Sequence, residues 1–135
     1  MRKGIVTIGN LDIMNETTNE QKNSEAVQQI TIDDFAKVEI RMGTVLSVEV
    51  VEGADKLYKL SVDLGEEKPR QILSGIREYV QPEDLLNKQF PFVTNLAPRK
   101  LRGLESQGMI LAGSDEGGLA LLQPTKVLKN GTKLR

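Results

Sequence analysis

Three cations, Arg99, Lys100 and Arg102, fall within four residues, and Leu101 sits among them. Apolar alternation stops at Leu96 and an apolar run resumes at Met109, so the stretch Asn95 to Leu111 reads as a loop joining two strands. Leu101 would anchor such a loop while the charges face outward. Gly103 and Gly108 permit a tight turn or a close approach by another segment. Cations presented on an anchored loop suit phosphate recognition, and the plain alternative is a solvated basic surface. Asn95, Ser106 and Gln107 add neutral donors and acceptors matched to base edges or ribose hydroxyls, and Met109 adds a soft apolar contact for a base.

Two cations elsewhere join the candidate set, Arg41 and Lys56. Each has a second reading: Arg41, like Lys37, alternates with core positions and would face water, while Lys56 beside Asp55 would form a turn ion pair worth under about 1 kcal/mol. Met109 reads equally well as core, and Asn95 equally well as a cap of its own loop.

Catalytic chemistry is sharply restricted. The 135-residue chain has no Cys and no His, which removes disulfides, Cys/His zinc sites, thiolate nucleophiles and the Ser/His/Asp triad. The carboxylate doublets Asp33-Asp34, Glu66-Glu67 and Asp115-Glu116 all lie near turns, where nothing separates their pKa values into an acid and a base. No phosphate-cradling loop, dinucleotide fingerprint or calcium loop is present. No enzyme activity, metal or cofactor is expected. The formal net charge of -1 argues against nucleic-acid binding through an overall basic field, so a local patch must supply any such binding. Only three Phe and two Tyr are present, too few for a platform that coats single strands by stacking. Recognition of a folded RNA's shape and backbone, with one or two bases read, is the better fit.

The elements that must hold this loop follow from periodicity. Residues 1–29 are expected to be a polar arm or linker, since 15–29 are almost wholly polar. The ordered domain is expected over 30–135. Thr31 and Asp33 are candidate caps for a short helical turn that delivers Phe35 to the core. Val38, Ile40, Met42, Thr44, Leu46, Val48 and Val50 share one parity over about thirteen residues, roughly twice the usual strand length, and Gly43 is the expected point of bending. Further strands are expected at Tyr58 to Leu64, Arg70 to Ile76, Phe90 to Leu96 (with Pro91 limiting pairing on one side) and Met109 to Ala112, and a short helix from Pro82 to Asn87. Asp115 to Gly118 reads as a turn into Leu119 to Leu122, and Asn130-Gly131 as a last hairpin turn. The sum is an all-β, five-stranded Greek-key barrel of the oligonucleotide-binding type with one short helix and an extension from about residue 114. No apolar run approaches the roughly 20 residues that span a bilayer, and the apolar stretch after Arg2 and Lys3 is too short for a signal core. A cytoplasmic protein with no membrane partner is expected.

From Asp34 to Arg135 the chain resembles the tRNA-binding domain found as the C-terminal domain or separate beta subunit of methionyl-tRNA synthetases, in free-standing structure-specific tRNA-binding proteins and in the endothelial monocyte-activating polypeptide. The resemblance is carried by Phe35 to Leu46, Ala54-Asp-Lys-Leu-Tyr58, Ile72-Leu-Ser-Gly-Ile76 and, most specifically, Asn95 to Leu111. It implies an oligonucleotide-binding barrel, a non-catalytic tRNA surface that uses Arg99, Lys100, Arg102, Ser106 and Met109, and a homodimer formed through the region after the barrel. A synthetase catalytic chain is an implied partner, with any methionine-tRNA ligase activity residing there. The chain departs from the family's common turn before Ala54 by carrying Val51-Glu52-Gly53, so no contact is expected there. The alternative is a dimeric chaperone of the same barrel that binds polypeptides.

Overall fold

In the computed structural model, which describes residues 27–135, the chain divides into a unit ending at Phe35 and a unit spanning Ala36–Arg135. All but the last three residues of the expected 1–29 arm lie outside the described residues. In the first unit, α1 (Ile32–Phe35) is a single helical turn. The Thr31 hydroxyl accepts from the Asp34 amide at 3.1 Å, and an Asp34 carboxylate oxygen accepts from the Thr31 amide at 3.4 Å. Phe35 keeps 42% of its surface exposed, contrary to the expectation that it enters the core. One turn of helix has no buried face.

The second unit runs β1 (Ile40–Val51), β2 (Ala54–Asp63), β3 (Arg70–Ser74), α2 (Pro82–Leu85), β4 (Gln89–Val93), β5 (Arg99–Leu101), β6 (Leu104–Ser106), β7 (Met109–Ile110), β8 (Ala112–Asp115) and β9 (Gly118–Leu121). Five strands form one antiparallel sheet in the order β3-β2-β1-β4-β7, and two hairpins, β5-β6 and β8-β9, are appended. The long first strand serves both sides, as expected: Ile40 to Thr44 pairs with β4, and Thr44 to Val51 pairs with β2.

The bend in β1 does not come from Gly43. Val45 pairs with Val62 and Ser47 with Ser61, which leaves Leu46 as an extra residue in a bulge. Inward facing thus passes from Val45, fully buried before the bulge, to Val48, which packs against the core after it, while Leu46 and Val50 are exposed and a second shift between Val50 and Val51 buries Val51. Gly43 answers a different need. A Cβ there would lie 2.7 Å from Val62 Cγ1 and 2.8 Å from Leu64 Cδ2, so glycine lets β1 lie against its neighbours.

Phe90, Phe92, Leu60, Leu64, Ile72, Leu85, Val45 and Val62 form the fully buried centre. α2 contributes Leu85 as its buried residue, with Pro82 at the helix start and the Gln81 amide donating to Asp84 at 2.9 Å. β9 lays Leu119 and Leu121 against the same core, while Leu122 and Val127 stay exposed. Two leucines of the extension therefore pack within the chain, while every residue of β8 is exposed. Asn130-Gly131 turns the C-terminal segment onto the edge of β1 that β2 has left: the Gly131 amide donates to Met42 O at 2.8 Å, the Met42 amide to Thr132 O at 2.9 Å, and the Leu134 amide to Ile40 O at 2.8 Å. The turn thus docks a tail on the first strand and does not join two strands of a hairpin.

Candidate nucleic-acid interface

The basic stretch is a β-hairpin. Arg99 pairs with Ser106, Lys100 with Glu105 and Leu101 with Leu104, leaving Arg102 and Gly103 as a two-residue turn with φ of 53° and 79°. Both central residues of a mirror-image turn need positive φ, which matches the right-handed twist of the strands. The local signal for it was the two-residue gap between Leu101 and Leu104. It was masked because arginine stands where Asn or Gly is usual. Leu101 is the anchor the sequence suggested, and Leu104 is a second. Together with Leu57 they pack on Val51, Ala54 and Leu73.

Arg99, Lys100 and Arg102 are exposed. Arg41 pairs with Glu39, Lys59 with Glu49 and Arg70 with Glu66, and among the described residues none of the three hairpin cations is in an ion pair, although Glu105 stands opposite Lys100 across the hairpin. Lys56, also exposed, shares with Arg102 a groove of about 420 Å³ whose other lining residues are Gly53, Ala54, Asp55 and Leu57. The start of β2 therefore adds a fourth cation beside the hairpin tip, and Asp55 opposes it in part.

Other candidates have structural duties. Ser106 is 4% exposed. Its hydroxyl accepts from the Leu73 amide at 3.0 Å and donates to Gly108 O at 3.1 Å, which welds hairpin to sheet. Gln107 completes that weld: its amide donates to Gln71 O at 2.8 Å, and its side-chain oxygen accepts from the Gln71 amide at 3.0 Å. In this way β3 is joined to the segment leading into β7, and the barrel closes largely through side chains. Asn95 accepts from the Glu39 amide at 2.8 Å and donates to Lys37 O at 2.6 Å. Both ends of its amide are thus engaged on the segment leading into β1 and not on its own loop. Arg41 is half-buried, donates to Glu39 at 3.1 Å and forms a bridge with Lys133 of the tail. It lies with the tail and not with the hairpin. Met109, at the start of β7, is 44% exposed and available for contact.

Arg70 is the positioning residue the sequence did not single out. It grips Glu66 with two bonds of 2.9 and 2.7 Å and donates to Thr94 O at 2.6 Å and Gln107 O at 3.1 Å. These bonds tie both ends of the 95–108 excursion to β3. The Arg70 bond holds the Glu66 carboxyl below its ordinary value of 4.5 and raises Arg70 in turn. Glu39 is likewise lowered, first by the Thr94 hydroxyl and then by Arg41.

Flanking the hairpin on its other side is a slot of about 190 Å³ lined by Leu96, Ala97, Arg99, Ser106, Gly108 and Met109. Among the described residues there is no cluster of three or more acidic, His or Cys side chains placed to hold a metal, and no helix long and apolar enough to cross a membrane. The arrangement can present positive charge, shape and a small apolar recess.

Comparison with known proteins points the same way. Residues 40–133 match the family model described as "Putative tRNA binding domain". Over 117 residues the chain is 54% identical to methionine-tRNA ligase 1 of Bacillus cereus, covering 86% of this chain and 18% of that protein. The chain spans about a fifth of the length of the curated relatives it matches. Among solved structures, the MetRS-related protein from Pyrococcus horikoshii superposes with a TM-score of 0.76 at 34% identity, covering 81% of this chain and all of that one. The chaperone CsaA from Bacillus anthracis gives 0.71 at 32% identity, covering 80% of this chain and all of that one.

Proposed function

The chain belongs to this tRNA-binding domain family, and from that premise we propose that the hairpin Arg99–Ser106 is the surface that grips the sugar-phosphate backbone of tRNA. The single observation that supports this most is the state of Arg99, Lys100 and Arg102: exposed and outside any ion pair among the described residues, on a hairpin whose two leucines and buried serine fix it to the barrel. Lys56 extends the charged surface across the neighbouring groove. Ser106 and Asn95 act by holding the hairpin in place, and Arg41 by holding the tail. No bond is made or broken. The module raises the tRNA affinity of a methionyl-tRNA synthetase, as its C-terminal domain or a separate subunit, in the cytoplasm. Two copies joined through the region after β7, where Leu122 and Val127 are exposed, would double the grip.

Retention of unfractionated tRNA on filters, measured against salt, tests the reading. With three phosphates neutralised, log K falls against log salt with a slope of about -2, so affinity drops roughly tenfold to twentyfold between 50 and 200 mM. Absence of retention at 50 mM salt would overturn it. The likeness to CsaA supports a second reading, polypeptide capture. It would be favoured if an unfolded polypeptide displaced tRNA and Arg102→Ala left tRNA retention unchanged.

A further inference from the structure

The slot beside the hairpin has features that backbone recognition alone does not require. Its mouth carries two large apolar side chains left in water, Leu96 at 49% and Met109 at 44% exposure, within a few residues of three unpaired cations. Exposed apolar surface next to concentrated positive charge suits a ligand that has both a flat apolar face and anionic groups, and a nucleotide is such a ligand. The size agrees. A cavity of roughly 150 Å³ admits a benzene ring, so about 190 Å³ takes one heteroaromatic base and excludes a stacked pair. The polar inventory narrows the fit further. The Ser106 hydroxyl is already engaged on both sides, by the Leu73 amide and Gly108 O, which leaves Arg99 as the one lining side chain with donors to spare.

We propose that this slot, formed by Leu96 and Ala97 against Gly108 and Met109 with Arg99 at its edge, receives a single unpaired nucleobase of the same RNA whose phosphates the hairpin holds. The inference rests on the tRNA reading above and adds to it. The domain grips a place where one base has left the stack, and a continuous duplex of equal charge density is a poorer ligand. The slot itself selects weakly among bases, because its walls are apolar and its edge donors come from one guanidinium, which guanine O6 and N7 would satisfy best.

The full chain labelled with ¹³C at its four methionine methyl groups provides the test, with the Met109 signal assigned by Met109→Leu. Unfractionated tRNA should move that signal upfield by ring current, whereas inorganic polyphosphate, which meets the cations but has no rings, should not. Ala97→Phe fills the slot from an exposed position outside the strands while leaving every cation in place. It should lower tRNA affinity about fivefold to tenfold with an unchanged salt slope, while Arg99→Ala lowers the slope itself. Met109→Ala, which opens the slot, is the second variant should Ala97→Phe melt below the parent.

If the parent retains tRNA but the Met109 signal does not move and Ala97→Phe binds as the parent does, the slot is not a base site and the backbone reading survives alone. If the parent retains no tRNA, both readings fail together. If an unfolded polypeptide shifts Met109 and Ala97→Phe weakens only that complex, the slot belongs to polypeptide capture and the proposal is overturned.

Discussion

Arg102 stands at φ 53° at the tip of the hairpin, so one substitution separates its cost to the fold from its use. An L-residue with a Cβ in the left-handed region costs about 1 to 2 kcal/mol, and Asn is a preferred occupant of the first position of this turn. Arg102→Asn should therefore stabilise the barrel by about 0.5 to 1 kcal/mol, since Leu101 and Leu104 couple the hairpin to Val51, Ala54 and Leu73. For a domain of this size that is a rise in Tm of about 2 to 8 °C. The same change removes one of three phosphate partners. At a slope of about 0.7 per phosphate, the lost counterion release lowers tRNA affinity about eightfold at 50 mM salt and about fourfold at 150 mM, and the slope moves from about -2.1 to about -1.4. Thermal melts followed by circular dichroism, paired with filter binding at both salts, measure the two effects independently. Arg102→Lys, which keeps both the charge and the strained backbone, should change neither by much. A raised Tm with affinity unchanged at both salts would refute the phosphate role. A lowered Tm would refute the account of the turn.

Ser106→Ala should act on the fold and not on the RNA. It leaves the buried Leu73 amide without an acceptor, which costs about 2 kcal/mol and lowers Tm by about 8 to 16 °C, with the salt slope of tRNA binding unchanged; a parental Tm with weakened binding would restore the residue to the RNA surface. Acid should also weaken the fold. Glu39 and Glu66 are both held below the ordinary 4.5, so their contribution is complete above that value and is lost as pH falls through their depressed values. Tm measured against pH should hold level between about 5 and 7 and decline below about 4.5, more gently in Glu66→Gln; a Tm that rises on acidification in that range would contradict the sign.

Much of the fold was legible because it rests on local periodicity: the strand succession, the helix started by Pro82, and the cations gathered around Leu101. The family was legible for a related reason, since Asn95 to Leu111 concentrates its most specific residues in one continuous run. What sequence could not show has one physical origin. The hydroxyl of Ser106 and the amide of Asn95 look like free recognition groups in a line of letters, yet their partners Leu73 and Lys37 lie 33 and 58 residues away. The long first strand was misread in the same way. Its alternation is real, but Val45, of the other parity, is already fully buried, and pairing Val45 with Val62 and Ser47 with Ser61 inserts a bulge that only β2 can impose, after which Val48 packs on the core. Sequence determined which groups the chain carries and where charge collects. The tertiary structure decided which polar groups remain available to a partner, because a buried donor or acceptor must be satisfied within the fold before it can serve anything outside it.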